Sequence, residues 1–504
     1  MTTTVTEPEF GADATGSTSP DTGLGSHAKR WWILGVLGLA QLMVVLDATV
    51  VNIALPAAQR SLEFSDANRQ WVVTAYALAF GSLLLLGGRL SDLFGRRTTF
   101  LVGLVGFAVA SAVGGAATSF EMLVIARAGQ GVFGALLAPA ALSLLTVTFT
   151  DPSERAKAFG IFSAVAGAGG AIGLLLGGML TEWASWRWAM YVNLAFAAVA
   201  FVGATMLLAK HQSDKRPKLD IPGTVSVTAA LFGIVYGFSQ AESQGWGATS
   251  TISWLVAGVA LLGVFVFIQT RVEHPLLPMR ILLDRTRAGS FLAVFIAGAG
   301  MFAIFLFLTY YMQLILGYSP IMTGVAFLPM VAAMILSSTT SSSIFLPKVG
   351  PRILMTGGLA IAALGMLSLT RIDVDSSYAS HVLIGLVLLG LGLGAAMATA
   401  FQGATAGVDH DDAGVASATI NTMQQVGGSI GTALLSTIAA TAATNYMDGK
   451  VPGQLTAAHA AVASYTATFW WAAGIFAIGA VLTGVLMRNT IPAPADNGEP
   501  VLVH

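Results

Sequence analysis

Apolar segments of membrane-crossing length return along nearly the whole chain, separated by short polar stretches. A helix needs roughly 20 apolar residues to cross the hydrocarbon core of a bilayer. Such segments fall near 31–55, 70–88, 98–117, 121–144, 157–180, 188–209, 221–240, 251–270, 288–312, 321–345, 353–370, 382–404, 414–438 and 465–487. Backbone groups in lipid must be satisfied within the segment, so runs of this length are helices. The short alternating segments of a membrane β-barrel are absent from the sequence. Charge agrees: Asp, Glu, Lys and Arg make up only 10% of the 504 residues, against about 25% in soluble domains. The expectation is an all-α membrane protein with fourteen transmembrane helices.

The segments outside the spans set boundaries and orientation. Residues 1–28 are rich in Thr, Gly, Ser and Asp and lack an apolar run, so they read as a disordered tail rather than a cleaved leader. Residues 489–504 read as a second tail. With the N-terminus inside, the inner loops hold most of the Lys and Arg. Only Arg60, Arg69, Arg187, Arg371 and Lys450 fall in outer ones. The positive-inside rule then places both termini in the cytoplasm of a cell whose inner, cytoplasmic membrane the chain spans. A net charge of −1 with no basic patch gives no reason to expect nucleic acid as a partner. The absence of cysteine excludes disulfides and thiolate metal sites. No Gly-rich Lys loop for ATP is present, and the histidines are scattered over loops and span ends, so neither an enzyme nor a metal centre is expected. No cofactor is expected either, and the chain is expected to act as a monomer.

A few polar residues sit where lipid or protein should surround them. Asp47, within LDATVVNIALP, is a carboxylate deep in the first span. An Asp at a helix centre costs ~2.5–3.5 kcal/mol on insertion scales, so such a residue commonly faces a cavity and serves a function. Removal from water favours the neutral acid, which makes Asp47 a candidate proton carrier or a docking point for a cation. A structural Asp, bonded to a neighbouring helix, is the alternative. Arg127, in RAGQG of the fourth span, is a basic residue at similar depth. The two could form a switchable ion pair, or Arg127 could simply tie helices together through carbonyls.

The loop GGRLSDLFGRR, from Gly87 to Arg97, joins spans two and three. Gly88 and Gly95 permit a tight turn, while Asp92, Arg96 and Arg97 supply a charge cluster able to latch the inner side. A similarly placed basic loop, LPKVGPR, joins spans ten and eleven, which fits a duplicated architecture of two six-helix bundles. Gly169, Gly173 and Gly177 recur every four residues on the fifth span and let another backbone approach, either between the two halves or within one. Amides and aromatics at membrane depth include Asn52, Tyr76, Gln130, Tyr310, Gln402, Asn421 and Gln425. With Asp47 they could line a cavity for a small amphipathic, drug-like molecule; each alone better suits bridging helices or filling the core, and only the ensemble suggests a cavity.

Together these motifs resemble the major facilitator superfamily, and within it the fourteen-span drug:proton antiporters, from about residue 31 to 487. GGRLSDLFGRR is similar to the superfamily's loop signature, LDATVVNIALP to the first-span signature, and RAGQG to the fourth-span signature. WRWAMYVN and GVASATINTMQQVGGSIG are also similar to segments of that family. One departure is that Gly173 is followed by Leu174, where the family's fifth-span motif usually has proline. The resemblance implies two six-helix bundles, 29–210 and 288–488, with two extra helices and flanking loops at 211–287. It implies proton-driven efflux of drugs or antibiotics by alternating access, with Asp47 and Arg127 carrying proton coupling and Asp92 with Arg96 closing an inner gate. The proton would be the coupling ion, and the lipid bilayer the surrounding partner. The alternative expectation is a secondary transporter dedicated to one endogenous metabolite.

Overall fold

The computed structural model describes residues 24–488 apart from 66–67, 150, 209–219, 406–407, 409–412 and 452. The two expected tails therefore lie largely outside the described residues, although the first helix already opens at Leu24. Every regular element among the described residues is helical. The first eight helices are α1 (Leu24–Leu62), α2 (Gln70–Phe94), α3 (Arg96–Gly115), α4 (Phe120–Thr148), α5 (Pro152–Trp183), α6 (Trp188–Leu207), α7 (Ile221–Gln244) and α8 (Thr249–Gln269). A five-residue α9 (Met279–Leu283) follows. The rest are α10 (Arg285–Tyr310), α11 (Pro320–Thr340), α12 (Leu346–Leu369), α13 (Leu383–Thr405), α14 (Ala413–Met447) and α15 (Gln454–Leu486).

Fourteen of these helices have 20 residues or more, enough to cross a bilayer by length. Twelve stretches also meet a criterion of apolarity, and one of them, Pro320–Leu369, contains both α11 and α12. The glycine-rich α5 carries no charged residue between Ala158 and Thr181, so it too is apolar over a membrane-crossing length. Successive helices reverse direction, so the start of α1 and the end of α15 share one end of the molecule, here the near end; the opposite one is the far end.

Turn chemistry explains several of the reversals. Ser119 and Ser319 cap α4 and α11 by accepting from Met122 N and Met322 N. Pro320 at the first position of α11 lacks the N–H that would be orphaned there anyway. At the near end, Gly95 reverses the chain between α2 and α3 with φ 90°, ψ 135°. Gly350 does the same in LPKVGPR with φ 79°, ψ 166°. Side chains rarely adopt that region, so both loops depend on the one residue without a Cβ. The two halves thus use one backbone device at corresponding places.

Helices α1–α6 form one bundle: α1 packs on α5 and α6, and α4 on α2 and α3. Helices α10–α15 form the second, in which α13 lies against α11 and α12, and α10 against α14. Two seams join them, α2 with α14 and α5 with α11. The extra pair α7–α8 packs on itself and leans over the α2–α14 seam, where Val227, Leu231 and Val235 bury against Leu78, Leu85, Val426 and Ala433. Most of α8 remains exposed and apolar, as a face toward lipid requires.

Glycines decide how closely the helices approach. Gly169 faces Leu42 and Val45, Gly173 faces Thr49, and Gly177 lies over the backbone of Val50. The stripe on α5 therefore packs on α1 within one bundle and does not reach across the halves. The contact across is made by Gly178 against Pro320 and Ile321, and by Gly324 against the Leu174 carbonyl. Leu174 is itself fully buried at this seam.

Candidate functional site

Five helices of the first bundle converge on Asp47, which has no exposed surface. Arg127 NH1 of α4 donates to its Oδ2 at 2.5 Å. Its Oδ1 accepts from Gln130 Nε2 at 2.8 Å and from Asn193 Nδ2 of α6 at 2.7 Å. Gln130 Nε2 also donates to Ser111 Oγ of α3, and Gln130 Oε1 accepts from Arg127 NH1. Arg127 is as enclosed as its partner, and its Nε donates to the carbonyl of Val72 on α2 at 3.0 Å. The guanidinium lies 4.4 Å from the ring centre of Tyr76, which stacks on Phe80.

The local reasons are simple. Asp47, buried and acceptor-only when ionised, draws donors from every neighbouring helix. Arg127 and Gln130 are three residues apart on α4 and so share a face. Gly131 brings α4 against α2, since a Cβ there would stand 2.4 Å from the Tyr76 carbonyl oxygen. This close approach lets Arg127 reach both α1 and α2. The knot is a charge-assisted network in which one carboxylate accepts three donors. Proton arrival at Asp47 would remove the charge that holds Arg127, freeing a cation that also grips the backbone and an aromatic ring of α2.

The other residues singled out from sequence are dispersed. Tyr76 and Gln130 join the Asp47 knot. Asn52 lies one turn further along α1, its Nδ2 donating to Ala48 O. Tyr310 sits at the far end, where its hydroxyl donates to Gln59 Oε1 of α1 and its ring lies 4.3 Å from the Arg69 guanidinium. Gln402 is exposed toward the near end and donates to Ser342 Oγ. Asn421 and Gln425 lie on α14, with Gln425 at the seam facing Gly81 of α2. These residues do not converge on one cavity. An apolar cleft of about 290 Å³ lies between α1 and α5, lined by Trp31, Leu34, Leu42, Phe162 and Val165 among others, and none of the expected binding residues borders it.

In the near-end loop, Gly87 backs onto the Ala135 carbonyl of α4, Gly88 faces Pro139, and Gly95 makes the turn. Arg97 donates to Thr205 O at the end of α6, and Arg89 to Pro275 O in the stretch after α8. Arg96 begins α3. The side chain of Asp92 lies outside the described residues.

Sequence reasoning passed over four contributors. Asn193 and Ser111 complete the knot, and each stood as a polar residue inside an apolar span. Arg69 looked like a loop cation, yet only 7% of it is exposed because Phe307 and Tyr310 cover it. Asp220 caps α7 through Gly223 N and accepts from Gln269 Nε2 at 2.5 Å, while Gln269 Oε1 accepts from Leu277 N. That triad ties together the near ends of α7 and α8 and the following loop.

Residues 37–432 match the family model of the Major Facilitator Superfamily. The chain belongs to that superfamily. It is a multi-pass membrane transporter of this fold. The puromycin resistance protein pur8 of Streptomyces alboniger is 47% identical over 477 residues, covering 94% of this chain and 95% of its own length. The cephamycin export protein CmcT of Amycolatopsis lactamdurans is 37% identical over 499 residues, 98% of each chain. Among solved structures, a bacterial homologue of the human lysosomal transporter Spinster, inward-facing and occupied, superposes with a TM-score of 0.62 at 16% identity. That match covers 92% of this chain and 97% of the other, and it bears on the fold alone.

Proposed function

We propose that this transporter expels amphipathic antibiotic-type molecules across the cytoplasmic membrane in exchange for protons, with both termini inside. The relatives named for puromycin resistance and cephamycin export, aligned over nearly their whole lengths, support the cargo class. The observation that carries proton coupling is the sealed contact of Asp47 with Arg127, because Arg127 also holds Val72 and Tyr76 of α2, the helix that forms a seam with the other half. Charge on Asp47 keeps Arg127 anchored; a proton on Asp47 releases it and loosens α2 at that seam.

The far end is closed across the halves by Tyr310 to Gln59, by Gln313 Nε2 to Ile53 O at 3.1 Å, and by Glu182 Oε2 to Ile321 N at 3.1 Å. In this reading the far end faces outward, and cargo enters from the cytoplasm while these bonds hold. Asp47 acts through Arg127 and α2 rather than by touching cargo. Entry of one proton yields ~2.3 kcal/mol per 100 mV of potential, which sustains roughly one to two orders of magnitude of cargo gradient at ordinary potentials.

The test is puromycin efflux from cells producing the protein, with and without an uncoupler, beside Asp47→Asn. Gradient-dependent efflux that the substitution abolishes is the expected result. Efflux that continues after collapse of the proton gradient removes the antiport reading.

A further inference from the structure

The α2–α14 seam buries polar groups that have no hydrogen-bond partner among the described residues. Gly81 of α2 sets the register: a Cβ there would stand 2.9 Å from Gln425 Cβ and 3.4 Å from Val426 of α14. The helices run antiparallel, so each step toward the far end along α2 matches a step forward along α14. Two turns from Gly81, on the same face of α2, stands Thr74. The matching step on α14 reaches Thr432, and one further turn reaches Ser436. At 3.6 residues per turn, Thr422, Gln425, Thr432 and Ser436 share one face of α14. The faces on either side have other partners: Gly427 and Gly431 lie on Phe295 and Ala299 of α10, while Thr437 donates to Phe238 O of α7. Gln425 places this stripe on the side of α14 turned toward Gly81 of α2.

Thr74, Thr422, Thr432 and Ser436 are each at least nine-tenths buried. Their hydroxyls, and Oε1 of Gln425, have no hydrogen-bond partner among the described residues. Ser429, on the same face between Gln425 and Thr432, takes the usual solution and donates to the carbonyl four residues back, as Thr419 and Thr437 do on the neighbouring face of α14. Helical Ser and Thr normally do this when no better partner exists. A row of groups that forgo it, aligned along one seam between two bundles, suits a surface that is dry in one state and wet in another. Only neutral donors and acceptors occur in the row, and Asp47 is sealed away from it inside the first bundle.

We infer that this row is the wall of the outward exit path: when the far end opens, Thr74, Gln425, Thr432 and Ser436 meet water and the uncharged hydrogen-bonding face of the cargo. The cargo statement rests on the proposed efflux function; the statement about access does not. Recognition by hydroxyls and an amide selects neutral polar groups such as hydroxyls and amides, and leaves any cationic group of the cargo unpaired at this wall.

The natural chain has no cysteine, so single reporters are clean. Thr74→Cys, Thr432→Cys and Ser436→Cys would be treated in whole cells with a membrane-impermeant maleimide. Val451→Cys, 83% exposed in the far-end loop, reports which side that end faces, and Thr483→Cys, buried in α15 and bonded to Gly479 O, reports non-specific access. The expected result is labelling of the three seam positions that rises at least fivefold when the proton gradient is present and falls when puromycin is added. Labelling of Val451→Cys without any labelling of the seam cysteines in either condition overturns the access claim. Puromycin efflux whose KM is unchanged in Thr432→Val, with Thr432→Ser as the conservative control, overturns the recognition claim; a rise of about fivefold in KM at constant kcat is the expected value for one lost hydrogen bond. Seam cysteines that switch in a cell that exports no puromycin would sink the cargo reading while leaving the exit path in place.

Discussion

Replacing Asp47 by Asn changes a charge but barely a shape, and the structure allows its cost to be worked out. All three groups that touch the carboxylate are donors: Arg127 NH1, Gln130 Nε2 and Asn193 Nδ2. An Asn side chain offers one acceptor oxygen and brings two further N–H donors. Whichever way it turns, at least one donor of the knot faces another. Arg127, with 2% of its side chain exposed, then lacks its carboxylate. Removing one member of a buried ion pair costs about 3–5 kcal/mol, mainly because the remaining charge stays buried. The double variant Asp47→Asn/Arg127→Gln removes that charge as well, so its loss should fall short of the sum of the single losses by about 1–3 kcal/mol. Denaturation of purified protein in detergent, followed by the fluorescence of its ten tryptophans, measures both quantities. A single variant within about 1 kcal/mol of the parent, or strictly additive losses, would show that the knot is not a buried ion pair in the working protein.

Three further outcomes follow from particular contacts. Gly173→Ala places a Cβ 1.8 Å from Thr49 Oγ1 and 3.0 Å from Thr49 Cβ, so Thr49 must turn from its bonds to Val45 O and Leu46 O or α1 and α5 must separate; a loss of about 1–3 kcal/mol is expected from overpacking, with partial recovery in Gly173→Ala/Thr49→Ala, read by the same denaturation. Gly95→Ala forces a side chain into the left-handed region at φ 90° and should cost about 1–2 kcal/mol, with lower yield of folded protein, and Gly350→Ala should behave alike. Arg69→Ala removes the cation held 4.3 Å from Tyr310 and 5.5 Å from Phe307; an interaction of this kind is worth about 2 kcal/mol when desolvated, so a reporter cysteine at Asn52 should label roughly thirtyfold faster from the far side. Unchanged labelling would mean that Arg69 plays no part in closing that end.

Much of this was legible before the fold. Asp47 and Arg127 were conspicuous because charge inside an apolar window is costly wherever the helix sits, and their spans alone marked them as partners for each other or for a cavity. Asn193 and Ser111 escaped because an amide or hydroxyl in a span is cheap enough to be common, and nothing in α3 or α6 points toward α1. The charged loop was legible as a turn, but that Arg97 reaches Thr205 O and Arg89 reaches Pro275 O, both far along the chain, was not. Tyr310 and Gln402 were grouped with Asp47 by residue type, whereas they sit at opposite ends of the molecule.

The order of apolar windows, their number, the glycine reversals and the presence of an acid at membrane depth belong to the sequence itself, since each is a property of a short stretch read against lipid. The destination of every side chain belongs to the tertiary structure. Rotation of a helix about its own axis is set by partners far away in the chain, so packing alone decided that Gly173 meets Thr49, that three side chains from two other helices donate to Asp47, and that Gln425 meets Gly81 of α2.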